Sequence, residues 1–251
     1  MKGIMVGNTV ISSLSLEPKI AACIGGETAL TYAKIAKQQK ADLLEVRCDL
    51  FEKCESDSMV EMFKILKGIT EIPILATVRT NWESPDSGHY TFRGSEEERL
   101  VIFRKIMKYV DAVDIELNST IREQVFDEAE KYSKPTIVSY HNFQKTESLE
   151  TLKKIVNDAY NTRGNIIKIS TMAYSKEDTV SSLRLLLSYT KDKIRSANKP
   201  IAVISMGKIG RMSRIAFPLF GSCLTYAHLD KNVYAAPGQM DICDMQRIME
   251  I

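Results

Sequence analysis

The chain has 251 residues, 44% of them hydrophobic, and 34 Lys and Arg nearly balance 32 Asp and Glu, for a formal net charge of +2. This balance gives no electrostatic footprint for nucleic acid or an anionic membrane, and no apolar run approaches the ~20 residues that span a bilayer. Five cysteines without a C-x-x-C pair indicate free thiols in a reducing compartment. The N-terminus lacks the hydrophobic region of a signal peptide, so we expect a cytoplasmic protein.

Short apolar, β-rich runs alternate with longer amphipathic segments, after a start (MVGNTVISSL) that predicts a small hairpin. Eight runs predict buried strands, at residues 19–24, 41–47, 73–79, 111–117, 135–141, 165–170, 200–206 and 222–227. Alternating β and α segments indicate a parallel sheet. Eight repeats of this size favour a (β/α)8 TIM barrel, with residues 1–251 as one α/β domain. An open doubly wound sheet is the alternative, because periodicity does not report closure.

Helical patterns fill the intervals between these runs. Ser95 and Glu98 predict a capping box at the start of one helix. Residues 176–195 predict the longest helix. Its buried face is predicted to carry Leu183, Leu186 and Leu187.

Polar side chains come late in five of the eight predicted strands. Residues two apart in a strand share a face, and these pairs are Glu45 and Arg47, Thr77 and Arg79, Asp114 and Glu116, Ser139 and His141, and Lys168 and Ser170. One polar strand end is explained equally well by contact with water. Five of them would meet at the C-terminal mouth of a barrel, where barrel active sites lie, so the pattern predicts an enzyme pocket.

Lys168 lies in the middle of an apolar run, NIIKIS. Lysine is rarely buried, and one explanation is a side chain that pairs with a carboxylate or extends to water. The other is an amine nucleophile. An ordinary lysine pKa of about 10.4 leaves well under 0.1% neutral at pH 7, whereas desolvation that lowered a lysine pKa to roughly 8 would leave about 10% able to form a Schiff base.

Schiff-base chemistry also needs a proton carrier, and the chain has three histidines. His89 lies in a loop that is predicted to be exposed, and His228 follows the last apolar run. His141 ends the predicted strand that precedes the one with Lys168 in the sequence. A histidine at a strand end is about as often a hydrogen-bonded structural residue, but an imidazole with a pKa near 6.5 beside an imine-forming lysine suits general acid and base catalysis.

Two loops near the predicted mouth are rich in glycine. The segment MGKIGRMSR (206–214) predicts a phosphate-binding loop, an arginine placed for a bidentate carboxylate contact, or a flexible solvated loop. The segment AAPGQM (235–240) predicts a tight Pro-Gly turn. No metal-ligand spacing and no G-x-G-x-x-G motif is present, so we expect no metal or other cofactor.

Five motifs in this order resemble the type I 3-dehydroquinate dehydratases of the shikimate pathway. They are EVRCD (45–49), SYHNF (139–143), KIS (168–170), SMGKIGRMSR (205–214) and APGQ (236–239), within a similarity that runs from about residue 17 to the end. The resemblance implies a (β/α)8 barrel, usually a homodimer, that dehydrates 3-dehydroquinate to 3-dehydroshikimate.

The resemblance also implies roles for single residues. Lys168 would be the Schiff-base lysine, and His141 the general acid and base that removes the C2 proton and helps to expel the hydroxyl as water. Glu83 would orient His141, and Arg214 would bind the substrate carboxylate. The other implied substrate-binding residues contact ring hydroxyls, close the lid or form the pocket wall, and they are Glu45, Arg47, Arg79, Gln239, Met206, Tyr226 and Ala235.

Ala235 and Ala22 stand where the family often has serine, which removes possible hydroxyl contacts, and Tyr226 stands where phenylalanine is common. Two other functions fit the same residues. A class I aldolase shares the lysine but handles phosphorylated sugars, so the segment 206–214 would then bind phosphate. A non-catalytic sugar- or carboxylate-binding barrel would use Lys168 only as a charge partner.

Overall fold

The chain begins with a small antiparallel sheet, as its first residues predict. A computed structural model of the chain describes residues 3–15, 17–84, 92–230 and 236–249. In the first of these ranges, strand β1 (Ile4–Val6) pairs with strand β2 (Thr9–Ile11). Gly7 supplies the left-handed backbone of the turn between them, with a φ of 57°.

A nine-stranded sheet forms the centre of the molecule. Its strands are β3 (Lys19–Gly25), β4 (Leu43–Arg47), β5 (Ile74–Thr77), β6 (Ala112–Glu116), β7 (Thr136–Asn142), β8 (Ile166–Met172), β9 (Ile201–Met206), β10 (Leu224–His228) and β11 (Met240–Asp241). All of the pairings are parallel. Strands β3 to β10 coincide with the eight predicted runs, whereas β11 is a short addition that the sequence pattern did not predict.

The sheet closes into a barrel, which decides between the two arrangements that the sequence left open. Strand β10 pairs with β3 along its whole length. Its other edge meets β9, where the Cys223 N–H donates to the Ile201 carbonyl at 2.8 Å. The hydroxyl of Ser222 accepts from the Val203 N–H at 3.0 Å in the same region. The (β/α)8 prediction is therefore confirmed.

Helices surround the strands. Their bounds are α1 (Ala29–Gln38), α2 (Ser56–Ile69), α3 (Glu96–Ile106), α4 (Arg122–Lys131), α5 (Leu149–Tyr160), α6 (Lys176–Thr190), α7 (Lys193–Asn198), α8 (Gly207–Gly210), α9 (Ser213–Leu219) and α10 (Ile242–Met249). The predicted capping box of Ser95 and Glu98 is present at the start of α3. Within the described ranges, none of these helices combines the length and apolar character needed to cross a membrane.

The helix predicted at 176–195 is in fact two helices, since α6 ends at Thr190 and Asp192 caps the start of α7. Leu186 is buried as predicted, but Leu187 is 44% exposed. The buried face of α6 runs through Ser182, Leu185, Leu186 and Tyr189, which follows the i, i+3, i+4, i+7 spacing. Three consecutive leucines make the orientation of this face ambiguous from the sequence, and the prediction for Leu187 is wrong.

Apolar side chains fill two separate regions, one between the strands and the helices and one inside the barrel. On β8, Ile167 and Ile169 face the helices, whereas Ile166 lies inside the barrel, as alternation predicts. The part of the inner region that lies at the N-terminal ends of the strands is called the floor. The floor residues are Leu43, Leu75, Ala112, Ile137, Ile166 and Leu224, with Val6 and Ile11 of the hairpin packed in the same cluster.

Candidate active site

Lys168 lies on the inner face of β8, one inward position above the floor, and is 5% exposed. Its Nζ donates to Glu45 Oε1 at 3.3 Å and to Asp114 Oδ2 at 3.1 Å. The ring of Tyr226 lies 4.1 Å from the same Nζ. The carboxylate pairing that the sequence left open is therefore present. Both carboxylates stabilise a positive charge at Nζ, and a protonated imine carries the same charge at the same atom.

Glu45 and Asp114 are held in their ionised forms. Burial alone would raise the pKa of each carboxyl, but neighbouring cations outweigh it. Lys168 and Arg47 lower the pKa of Glu45. Arg79 and Lys168 hold the pKa of Asp114 well below its ordinary value. The amine of Lys168 thus faces two fixed negative charges.

Arg47, the last residue of β4, and Arg79, two residues beyond the end of β5, are already engaged with carboxylates. Arg79 donates to Asp114 at 2.9 Å and to Glu116 at 2.6 Å. Arg47 makes a bidentate contact with Asp49, at 2.9 Å from Nε and 2.6 Å from Nη2. These contacts fix both guanidinium groups at the wall of the site.

His141, at the mouth end of β7, is held by Glu83. Glu83 Oε2 accepts from the His141 backbone N–H at 2.8 Å, and His141 Nδ1 lies 3.0 Å from the same oxygen. Burial, together with the charges of Arg79 and Lys168, lowers the pKa of His141 well below 6.5. Burial also raises the pKa of Glu83 to about 8. At pH 7 the contact therefore joins a neutral imidazole to a mostly protonated carboxyl.

A tight turn at Ala236–Gln239 covers one side of the site, as the Pro-Gly pair predicted. Gly238 has a φ of +77°, and a Cβ at this position would lie 2.5 Å from the carbonyl oxygen of Gly207. Arg214 holds the turn by donating to the carbonyls of Gly238 at 3.0 Å and of Pro237 at 3.1 Å. Burial lowers the pKa of Arg214 to about 10, so its guanidinium stays charged at neutral pH.

Cys23 joins this turn to the centre of the site, a connection that the sequence did not predict. Its thiol donates to Glu45 Oε2 at 2.9 Å and accepts from Gln239 Nε2 at 3.1 Å. Ala22, which the resemblance placed at a serine position, packs on the outer side of β3 among the helices. The missing hydroxyl at Ala22 therefore cannot affect a ligand inside the barrel, and the inward neighbour at this level is Cys23.

The structure brings most of the predicted site residues around one cavity with about 30 Å³ of free space. The predicted residues that line it are Glu45, Arg47, Arg79, Glu83, His141, Lys168, Arg214, Tyr226 and Gln239. Met206 is fully buried in the inner cluster, while Ile204 of the same strand lines the cavity. Ala235 and His89 lie outside the described residues.

Comparisons with known proteins identify the family of the chain. The family model described as type I 3-dehydroquinase matches residues 20–251. The chain belongs to this family. The 3-dehydroquinate dehydratase of Methanococcoides burtonii is 35% identical over 96% of this chain and 98% of its own length. That of Methanothermobacter thermautotrophicus is 37% identical over 83% of this chain and 84% of its own length.

Solved structures agree with this assignment. The crystal structure of 3-dehydroquinate dehydratase from Geobacillus kaustophilus has a TM-score of 0.89 and 30% identity, and it covers 99% of this chain and 95% of its own. A type I 3-dehydroquinate dehydratase from Clostridium difficile has a TM-score of 0.87 and 26% identity, with 98% and 96% covered. This chain is therefore an enzyme of the type I 3-dehydroquinase family.

Three further residues contact the predicted site residues, and the sequence motifs give them no role of their own. Asp114 belongs to a predicted inward pair, but its contact with Lys168 joins β6 to β8, two strands away in the sheet, and becomes visible only in the folded barrel. Ser139 donates to Asp114 at 2.6 Å, and it too belongs to one of the predicted inward pairs. Phe143 stacks against the ring of His141 with centroids 6.2 Å apart, and it lies inside the SYHNF motif.

Proposed function

We propose that this enzyme dehydrates 3-dehydroquinate to 3-dehydroshikimate through a Schiff base on Lys168. One observation carries the proposal: a buried amine between two carboxylates lines the same cavity as a neutral, carboxyl-bound histidine. The two groups supply the nucleophile and the proton carrier that an imine-forming dehydration requires.

In the first step, Lys168 Nζ loses a proton and attacks the C3 carbonyl carbon, forming a carbinolamine. Loss of water from the carbinolamine gives a protonated imine. The positive charge remains on the nitrogen, where Glu45 and Asp114 already face it. Because these carboxylates are held in place before the reaction, no reorganisation is needed to stabilise the iminium.

In the second step, His141 removes a proton from C2 and the electron pair moves toward the iminium nitrogen, forming an enamine. The enamine electrons then expel the C1 hydroxyl, which takes the proton from His141 and leaves as water. Hydrolysis of the remaining imine returns the free amine and releases 3-dehydroshikimate. A neutral imidazole at pH 7, which the lowered pKa of His141 supplies, is the form that accepts the C2 proton.

We infer the roles of the two ring nitrogens of His141 from its contact with Glu83. Oε2 of Glu83 accepts the backbone N–H of His141, so we assign Nδ1–H as a second donor to the same oxygen. Nε2 is then the unprotonated nitrogen and the base. Glu83 thus fixes the tautomer and the orientation of the ring.

Arg214 is our proposed partner for the substrate carboxylate. Three of its N–H groups point at the carbonyls of Gly238, Pro237 and Tyr226, which leaves two of its five donors for a ligand. Lys208 and Arg211 of the same segment are exposed, and Arg214 is the cation of the segment 206–214 that lines the cavity. This favours a carboxylate contact over the phosphate loop of an aldolase.

The free space in the cavity holds about two water molecules, so a six-membered ring needs more room. We propose that the turn at Ala236–Gln239 moves outward when the substrate enters and closes over it. Arg47, Gln239 and the ring of Tyr226 would then surround the substrate ring.

The relatives' names support this proposal. The matched proteins of Methanococcoides burtonii and Methanothermobacter thermautotrophicus are both named 3-dehydroquinate dehydratase. The Clostridium difficile enzyme is described with covalent modified comenic acid. A covalent step through Lys168 is consistent with that precedent.

The activity is tested by following 3-dehydroshikimate formation from 3-dehydroquinate with the purified chain and two lysine variants. Lys168→Met is expected to remove turnover almost completely, because no other described amine lines the cavity. Lys208→Met, an exposed lysine of α8, serves as the matched control and is expected to leave turnover unchanged. Turnover in Lys168→Met equal to that of the parent would contradict the proposal, as would cleavage of sugar phosphates in place of dehydration.

We further propose a cytoplasmic homodimer in which residues 1–251 form one domain that acts in the shikimate pathway. Light scattering coupled to size-exclusion chromatography tests the assembly state, with twice the chain mass of 28.3 kDa as the expected result. A single mass of one chain across the accessible concentration range would overturn the dimer.

A further inference from the structure

Arg99 lies on helix α3, outside the barrel, yet its side chain is completely buried. The other buried positions of this helix are apolar, and they are Leu100, Ile102, Phe103 and Ile106. The Nε of Arg99 has no hydrogen-bond partner among the described residues. A buried guanidinium with an unpaired donor is costly, and an apolar residue would suit the packing of this helix face better.

The contacts of Arg99 lead toward the reactive amine. Its Nη2 donates to Glu116 Oε2, and its Nη1 donates to Glu96. Glu116 Oε1 accepts from Arg79 Nη1 at 2.6 Å. Arg79 Nη2 in turn donates to Asp114 at 2.9 Å, and Asp114 accepts from Lys168.

These contacts form an unbroken chain of alternating charges. Its members, from the reactive amine outward, are Lys168, Asp114, Arg79, Glu116, Arg99 and Glu96. It crosses the barrel wall from the inner face of β6 and the segment that follows β5 to helix α3. We call it the charge chain.

We propose that Arg99 is a positioning residue for the Lys168 amine, because it neutralises Glu116 and so leaves Arg79 shared with Asp114. This inference rests on the proposed function of Lys168 as the reacting amine. Arg99 lies beyond Glu116 and Arg79 in the charge chain, so it acts through them and does not contact the substrate.

The charge chain is balanced within itself. Its three cations (Lys168, Arg79 and Arg99) alternate with three carboxylates (Asp114, Glu116 and Glu96). Arg214 adds a further cation that is paired with backbone carbonyls, and a substrate carboxylate would neutralise it. Without Arg99, the charge chain carries one excess negative charge: Glu116 keeps Arg79 as its charged partner among the described residues, and Glu96 loses its contact with Arg99.

Lys168 and Glu116 are each faced by titratable or charged groups from several elements. The groups that face Lys168 are Glu45 of β4, Asp114 of β6 and Tyr226 of β10, with Cys23 of β3 and His141 of β7 within electrostatic reach. Glu116 contacts Arg79 and Arg99, and its charge also acts on the carboxyl of Glu83.

Loss of Arg99 has two consequences at the site. Glu116 would draw Arg79 away from Asp114, since Arg79 would be its one remaining charged partner. The excess negative charge would also make it harder for the Lys168 ammonium to release the proton that imine formation requires. Imine formation would then need a higher pH.

The test is the pH profile of kcat/KM for 3-dehydroquinate, measured from about pH 5 to about pH 10, which reports the essential groups of the free enzyme. In Arg99→Met the midpoint of the acid limb is expected to move to higher pH by roughly one unit, with activity at pH 7 about tenfold lower. KM is expected to stay within about twofold, because Arg99 does not reach the substrate.

Two further variants separate a charge effect from a packing effect. Arg99→Met/Glu116→Gln removes both charges and is expected to return the midpoint to that of the parent. Glu116→Gln alone leaves an extra positive charge and is expected to move the midpoint to lower pH. Arg163→Met is the control, since Arg163 pairs with three carboxylates on the exposed side of α4, and its midpoint should not move.

An unchanged midpoint in Arg99→Met, whatever its melting temperature, would overturn the inference. A midpoint that stays displaced in the double variant would overturn it as well. If Arg99→Met does not fold, the opposite shift in Glu116→Gln decides the question. A parent enzyme that forms no Schiff base at any pH would instead remove the proposed function, so the two failures are distinguishable.

Discussion

The floor and the mouth of this barrel are built on the same strands with opposite chemistry. On β4, Leu43 lies in the floor and Glu45 one inward position higher. On β8, Ile166 lies in the floor and Lys168 one inward position higher. Two residues along a strand, about 7 Å, therefore separate an apolar core from a buried network of charges.

This difference indicates that the floor contributes mainly to stability and the mouth mainly to chemistry. The floor is closed from outside by Val6 and Ile11 of the hairpin, so its side chains contribute burial. The carboxylates and cations above it cost desolvation free energy that their mutual pairing offsets only in part. Substitutions in the two halves should therefore change different measured quantities.

The largest expected effect is on chemistry at the mouth. His141→Ala should lower kcat by about 10²- to 10⁴-fold, because the proton carrier is lost. The variant should still form the imine slowly and stall before releasing product, so mass spectrometry of the quenched reaction should show enzyme-bound ligand. Its melting temperature should stay close to that of the parent. Normal turnover in this variant would refute the proton-transfer role.

A matched truncation in the floor should do the reverse. Ile166→Ala removes a fully buried side chain and should lower the free energy of unfolding by about 2–5 kcal/mol. Denaturant titration measures this loss, and kcat per folded molecule should stay near the parent value because Ile166 lies below the cavity. Equal losses of kcat in Ile166→Ala and His141→Ala would show that the two halves are not separate.

The pH dependence of the free energy of unfolding tests whether Glu83, a residue of the mouth, lowers stability. Its pKa of about 8 in the folded state lies above its ordinary value of 4.5, so between these two pH values the folded state holds a proton that the unfolded chain has lost. The contribution of Glu83 to stability is therefore fully present below pH 4.5 and is lost as pH rises toward 8.

Glu83→Gln removes this titration. Between pH 5 and pH 8, the free energy of unfolding of the parent should fall by roughly 2–4 kcal/mol more than that of the variant. The kcat of the variant should also fall, because the orientation of His141 is weakened. Denaturant titrations of both proteins at the two pH values measure the difference. A parallel pH dependence in parent and variant would contradict the raised pKa of Glu83.

The smallest effect is expected at the mouth turn. Gly238→Ala places a Cβ against the Gly207 carbonyl at a φ that costs a non-glycine residue about 1–2 kcal/mol. The turn should shift outward, with kcat/KM reduced about tenfold and little change in melting temperature. Gly68→Ala is the control, because a Cβ at Gly68 meets nothing within 4 Å. Equal behaviour of the two variants would argue against a role for the turn.

Local patterns were enough to predict the barrel strands, the hairpin, the Ser95 cap and the inward direction of Lys168. Each of these depends on neighbours within one strand, helix or turn. The resemblance placed Ala22 at a position for ligand contact, whereas the structure places Cys23 inside the barrel at that level. Strand β3 is apolar on both faces, so alternation does not show which face is inside.

Long-range pairing explains what the sequence could not show. Arg99 follows three glutamates at the start of α3, a pattern typical of an exposed helix face. Its partner Glu116 lies on strand β6. The pairing of Lys168 with Glu45 joins residues 123 positions apart. Such contacts depend on the closure of the barrel, which no local pattern encodes. Strand β11 has only two residues, too few for any periodicity.

Borohydride reduction in the presence of 3-dehydroquinate tests the central claim most directly. Reduction of the imine makes the bond to the enzyme permanent, so peptide mapping by mass spectrometry should find one ligand-sized addition, on Lys168. The Lys168→Met variant and a sample without substrate should show none. Turnover of 3-dehydroquinate with no trapped adduct, or an adduct on a different lysine, would contradict the account.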